Sequence, residues 1–359
     1  MTRNSDAAAS RLQYVDIARG IAIICIILSH LGNWPINRVV FTFHVPIFFF
    51  ITGYFTDTRR SVSEFVRVKA RTLLVPYYVT CFVIIVIAVL LGAWKGEAFA
   101  RLKEWSYAML YAAGDNYTEP FYIKAIGPLW FLWASFWGSC FLRISLKLKA
   151  SDRLCLIAVL FALGYFSRKL FWFPLSIQAG ACASAFMYMG WLLQQGKSIL
   201  PEIPKECKSF AVVFALLTWY FFIRDFQSFW LVHCDIGRGI VDVFGCICAC
   251  SIVILLSYLI EKKTSSFGAI LAYLGRYSLL VLCLHVIELN LFPWGQITEW
   301  LIARGFIPAN FYLGFIIIGK LCMDLGGAWI LSRIPVVRKI MGYRYSNRGA
   351  NNIMVSGIN

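Results

Sequence analysis

An acid, an arginine and a histidine share one apolar stretch, YVDIARGIAIICIILSH, as Asp16, Arg19 and His30. A second histidine, His44, follows in TFHVPIFFFITGYF. Ionisable groups in segments apolar enough to cross a bilayer are costly, and they tend to mark function. On a helix, the step of eleven residues from Arg19 to His30 returns to within about 20° of the starting face and climbs about 16 Å. Asp16 lies one turn before Arg19, within i,i+3 pairing reach. One stripe therefore carries a charged end and, far along it, an imidazole. A neutral imidazole is suited to abstract a proton near pH 7, so His30 reads as a general base. The plainer alternative, stronger for His44 than for His30, is a hydrogen bond to a carbonyl of a neighbouring helix. The segment TDTRRSVSEFVRVKARTLLVPYY then crowds Arg59, Arg60, Arg67, Lys69 and Arg71 together. Such a run can anchor lipid headgroups. The alternative is a site for a phosphate-bearing ligand, with Arg67, Lys69 and Arg71 as the candidate binding residues.

These side chains need helices in a membrane to position them. The chain has 359 residues, of which 60% are hydrophobic and 14% charged. A soluble domain carries about 25% charged residues. With a mean hydropathy of +0.71, the composition predicts an all-α, polytopic membrane protein. Apolar runs predict ten transmembrane helices near 15–33, 38–56, 72–93, 127–145, 153–167, 173–194, 209–224, 238–260, 270–291 and 310–332. With both termini cytoplasmic, 22 of the 34 Lys and Arg fall on inner segments and ten on outer ones, while Arg19 and Lys320 lie in helices. That asymmetry supports this orientation and accounts for the net charge of +16 without nucleic acid. The first apolar run lacks a small-residue cleavage site and reads as a retained helix. The chain reads as one membrane domain over 1–340 with a loose polar tail over 341–359. Most of the twelve cysteines sit in apolar runs, with no CxxC or zinc-type spacing, so they read as small buried hydrophobes and no metal is expected.

Further ionisable or polar groups occur in later apolar segments. IKAIGPLWFLWASFW reads as an interfacial aromatic belt. LGRYSLLVLCLHVIELN carries Ser278, His285 and Glu288, and Asp242 lies in the helix before it. Lys320 and Asp324 are spaced i,i+4 and are expected to neutralise each other.

Taken in order, five segments resemble acyltransferase family 3, the integral-membrane O-acyltransferases. They are the Arg19-to-His30 signature, FHVPIFFFITGY, KARTLLVPYY, PLWFL and GRYSLLVLCLH, spread over roughly residues 12–335. In detail they look most like the fucose 4-O-acetylase-like and enterobacterial common antigen acetylase-like branch. The resemblance implies transfer of an acyl group, most often acetyl, from cytoplasmic acetyl-CoA or another acyl-CoA to a hydroxyl of a lipid-linked or surface glycan. It implies a location in the plasma or inner membrane. It makes His30 the catalytic histidine and Arg19 its signature partner, and it links Lys69 and Arg71 to the donor. A glutamate that some branches carry after the LW pair is missing here. No soluble hydrolase-like domain follows, so the membrane domain is expected to act alone or with a separate partner.

On this reading His30 takes the proton of the attacking hydroxyl, or alternatively becomes acylated itself. Arg19, steadied by Asp16, contacts the CoA arm or polarises the thioester carbonyl. Arg67, Lys69 and Arg71 bind CoA phosphates, and His44 positions His30 or the acceptor. The rival reading is a transporter or flippase of a glycan intermediate. Against it, no inverted repeat relates the two halves, and the charged stripe is concentrated in the first two helices.

Overall fold

The computed structural model describes residues 12–263, 265–344 and 355–356. The helices run in chain order as α1 (Gln13–Ser29), α2 (Trp34–Val40), α3 (Pro46–Tyr54), α4 (Val62–Lys69), α5 (Val75–Ala93), α6 (Ala98–Tyr111), α7 (Trp130–Ser145) and α8 (Ala150–Ser167). They continue as α9 (Ile177–Gly196), α10 (Lys205–Arg224), α11 (Ile240–Lys263), α12 (Ser265–Arg276), α13 (Ser278–Leu291), α14 (Trp294–Ala303), α15 (Tyr312–Leu331) and α16 (Pro335–Ile340). Large apolar side chains stand exposed along several of them, such as Phe82, Leu90, Leu154, Phe166, Phe210 and Leu217. A helix face of that kind is matched to lipid rather than to water.

Five helices are long and apolar enough to cross a membrane: Val62–Ala93, Ala150–Ser167, Lys205–Arg224, Ile240–Lys263 and Ala309–Leu331. A sixth is added if α12 and α13, bent by 70°, make one span. The sequence predicts ten. The shortfall has a physical cause. The 17 residues of α1 and the 16 of α7 reach only about 24–26 Å, short of a hydrocarbon core of about 30 Å. The second expected helix is broken into α2 and α3, with turns over 41–45 and α3 restarting at Pro46, whose missing N–H is tolerated at the first helical turn. The expected outer loop over 94–126 contains α6, and α14 lies where no helix was read.

Two devices shape the site. Between α4 and α5 the chain widens into a π-helical turn, Ala70–Leu74, so Val62–Ala93 is one helix. The turn lies just ahead of Pro76, which has no N–H to give the preceding turn and whose ring crowds it. The second device is the tight crossing of α1 with α12. A side chain on Gly275 would overlap the backbone carbonyl of Asp16, and one on Gly20 would overlap that of Leu271. Backbones this close need glycine at the contact.

Two large apolar clusters make up most of the described interior, beside two small ones around Ile17 and Ile123. One large cluster gathers Phe43, Ile47 and Phe49 with Phe186, Phe222 and Cys250. The other gathers Ile23, Ile27, Tyr77, Ile84, Leu132 and Val281. Phe48 and Phe131 pack against both clusters. Most of the tail over 341–359 lies outside the described residues. Its start is built into the fold: Met341 and Tyr343 are buried, and Tyr343–Arg344 pairs antiparallel with Val355–Ser356.

Candidate active site

His30 closes the C-terminal end of α1 and is exposed to a cavity of about 250 Å³. Its Nδ1 lies 2.8 Å from the carbonyl oxygen of Ile26. A carbonyl only accepts, so Nδ1 carries the hydrogen and Nε2 keeps its lone pair. The alternative of a carbonyl-bonded histidine and the reading of a general base are therefore compatible, because one ring nitrogen serves each. His44 lines the same cavity and gives its Nδ1 hydrogen to Val40 O at 2.6 Å. Phe41, Trp130, Phe131 and Trp230 supply aromatic walls, and Asp115 supplies a carboxylate. Trp230 stacks on Phe41 with centroids 5.6 Å apart, and on His233 at 5.8 Å. His233 Nε2 donates to Asp115 Oδ2 at 2.9 Å. This hydrogen bond holds the Asp115 carboxyl below its usual range.

A buried polar cluster stands behind His30. His285 Nε2 lies 3.4 Å from His30 Nδ1, with the rings edge-on and 5.1 Å apart. His285 Nδ1 lies 2.9 Å from Asp324 Oδ2 and 3.2 Å from Glu288 Oε2. Lys320 Nζ donates to Glu288 Oε1 at 2.6 Å, and the Trp294 indole N–H donates to the same oxygen. The sequence singles out these ionisable residues but pairs Lys320 with Asp324. In the structure Lys320 pairs instead with Glu288 of α13, and Asp324 with His285. The i,i+4 spacing sets neighbours along α15, whereas α13 packed against it offers each group a closer partner.

A second cavity, of about 110 Å³, is lined by Arg19, Lys69, Thr72, Ser135, Arg276, Ser278 and Tyr343, among others. Arg276 spends its Nε on Ala272 O of its own helix at 3.3 Å. Of the expected anion-binding residues only Lys69 lines this cavity. Arg67 and Arg71 are exposed on the outside of the helix. Asp16 is buried at the crossing of α1 with α12 and does not line the cavity. Ile26, Phe131 and Leu282 line both cavities, so the two chambers meet at an apolar neck. A wider surface depression along α6 is lined by Arg101, Glu97, Glu104 and Lys124, which pair with one another.

Sequence reasoning thus finds His30, His44, Arg19 and Lys69 at the two chambers. It misses Arg276, Tyr343, Asp115 and Trp230, which come from a helix end, a short strand and loops distant in sequence and carry no local spacing signal. It reads Asp242 only as a further intramembrane ionisable residue. Arg238 holds that carboxylate with two donors at 2.9 and 2.7 Å.

The profile of the family described as acyltransferase domain, acyltransferase family 3, matches residues 12–319. Among curated proteins, the nodulation protein NolL of Mesorhizobium japonicum is 28% identical over 144 residues, covering 36% of this chain and 34% of that protein. The match spans about a third of the relative's length. No solved structure matches.

Proposed function

Because this chain belongs to acyltransferase family 3, we propose that it moves an acyl group, in the first instance acetyl, from cytoplasmic acyl-CoA to a hydroxyl of a lipid-linked or surface glycan. Membership of a family of acyltransferases favours an enzyme over a transporter. The fucose 4-O-acetylase-like and enterobacterial common antigen acetylase-like branch fits the same reading. So does a polytopic enzyme of the plasma or inner membrane with ten crossings and cytoplasmic termini, in which short helices such as α1 and α7 count as spans.

The observation that carries the reading is the pair of chambers joined at Ile26, Phe131 and Leu282. One chamber presents Arg19, Lys69 and Arg276, three cations matched to phosphate. From these cations the donor's slender acyl-pantetheine arm would run toward the neck. The other presents an imidazole base among aromatic walls and a carboxylate, the surfaces that stack on sugar rings and accept from their hydroxyls.

With the donor in the basic chamber and the sugar in the aromatic one, the thioester carbon reaches the neck. His30 Nε2 takes the proton as the sugar oxygen attacks that carbon. The carbon–sulfur bond then breaks, and the CoA thiolate leaves and is protonated. While it exists, the imidazolium is held by Ile26 O and by the carbonyl end of α1, which is the negative end of the helix dipole. Arg19 and Lys69 face the donor. His44, fixed by Val40 O, orients the acceptor.

The test is transfer of labelled acetyl from acetyl-CoA to the glycolipid fraction of membranes containing the wild type or His30→Ala. Label with the wild type alone supports the reading. Wild-type activity in His30→Ala, or no transfer from any acyl-CoA supplied with native glycan, sinks it.

A further inference from the structure

His285, Glu288 and Asp324 are each 1% exposed or less, and Lys320 is 5% exposed. None of them touches either chamber directly. The hydrogens in this cluster can be assigned from its partners. A carboxylate only accepts, so His285 Nδ1 carries a hydrogen toward Asp324 and Glu288. His30 Nδ1 carries one toward Ile26 O, so His285 Nε2 is the acceptor facing it at 3.4 Å. Both rings are then neutral. With both carboxylates ionised, the cluster holds two negative charges and one ammonium. Buried ionic groups are normally matched charge for charge, and this cluster is one positive charge short. In keeping with that count, Asp324 Oδ1 is buried with no hydrogen-bond partner among the described residues.

Resting on the reading of His30 as the base, we propose that His285, backed by Asp324 and Glu288, is a positioning residue that stores the abstracted proton. When His30 Nε2 receives the proton of the acceptor hydroxyl, the Nδ1 hydrogen of His30 passes to His285 Nε2. His30 becomes neutral again, now as the other tautomer. The positive charge comes to rest on His285, between Asp324 and Glu288, and matches the cluster. In the reverse shift His285 Nε2 returns the hydrogen to His30 Nδ1, and the Nε2 hydrogen then passes to the leaving thiolate or water, which restores the first tautomer. No atom is gained or lost, and no oxidant or other co-reactant is needed. Donor atoms of His285, Glu288 and Asp324 also lie within 4.8 Å of one another, a spacing a metal could bridge. Lys320 already supplies one cation to this cluster, at Glu288 Oε1, which Trp294 also reaches.

The experiment measures kcat and KM for acetyl transfer by the full chain in nanodiscs, for the wild type, Asp324→Asn, His30→Ala and the double variant. Asp324→Asn keeps the shape and removes the charge. Its kcat is expected to fall by about 10²–10⁴-fold, the range seen when a general base or its orienting carboxylate is lost. Both KM values should stay within about threefold. The double variant should be no slower than His30→Ala alone, because the two residues act as one unit. An unchanged kcat in Asp324→Asn beside a dead His30→Ala overturns the proton store and leaves the base intact. A further loss in the double variant equal to that in the single one overturns it too, by showing a merely structural role. Full activity in His30→Ala instead defeats the base itself. If Asp324→Asn does not assemble, His285→Gln carries the same expectations.

Discussion

The basic chamber, read as the donor site, makes a quantitative prediction that separates cavity-lining from exposed cations. Lys69 and Arg276 line the cavity, whereas Arg67 and Arg71 sit on the exposed face of the same basic segment. A hydrogen bond from a charged donor is worth about 1.5–3 kcal/mol. At about 1.4 kcal/mol per decade, Lys69→Ala or Arg276→Ala should raise the KM for acetyl-CoA roughly 10–150-fold. Exposed charges contribute about 0–1 kcal/mol, so Arg67→Ala or Arg71→Ala should cost less than about fivefold. The kcat should change little in all four, because α1 carries His30 about 16 Å beyond the level of Arg19. Initial rates of transfer at saturating acceptor give KM, and calorimetric titration with CoA gives Kd free of chemistry. Equal losses across the four variants, or larger losses at Arg67 and Arg71, would refute the argument. The phosphates would then be held on the outer face of the helix, not at the cavity.

Three further outcomes follow from the same geometry. Lys320→Met leaves Glu288 charged and buried, a change that costs about 3–5 kcal/mol, and adding Glu288→Gln should recover much of it; chemical denaturation of the purified chain reads both. Leu282→Trp fills the neck, so transfer should drop more than about tenfold with donor Kd unchanged and at most about 1–3 kcal/mol lost to overpacking; a wild-type rate in that variant would mean that the acyl group does not pass there. Asp115→Asn should raise the acceptor KM and spare the donor KM. The Asp115 carboxyl is held below its usual range by the His233 hydrogen bond. Its contribution is thus fully present above the ordinary carboxylate value of about 3.9 and is lost only as pH falls through the lowered folded value. A pH titration of acceptor KM on wild type and Asp115→Asn checks this.

Much of the site is visible in the sequence because α1 is a regular helix. The placement of Arg19 and His30 on one stripe survives: Ile26 stands on the same face and lines both chambers they reach. Lys69 is legible as a cation near a membrane face, and so is its separation from Arg67: the two lie in one helix, where a two-residue step turns about 200°. The pairing of Lys320 with Glu288 is hidden, since i,i+4 spacing describes one helix and says nothing of the next. The bend of 70° between α12 and α13 is the clearest case. The run over 270–291 is apolar enough to look like one span. Yet α12 packs on α1 while α13 packs on α5 and α15, and no single straight helix can do both.

The apolar neck has an electrical consequence. If the thiolate forms on the basic side and the sugar oxygen loses its proton on the aromatic side, the acyl group that passes between them is uncharged. The proton is released on one side of the neck and needed on the other. Each turnover then displaces up to one elementary charge through the membrane field, worth about 2.3 kcal/mol per 100 mV. Acylation by such an enzyme would respond to the membrane potential.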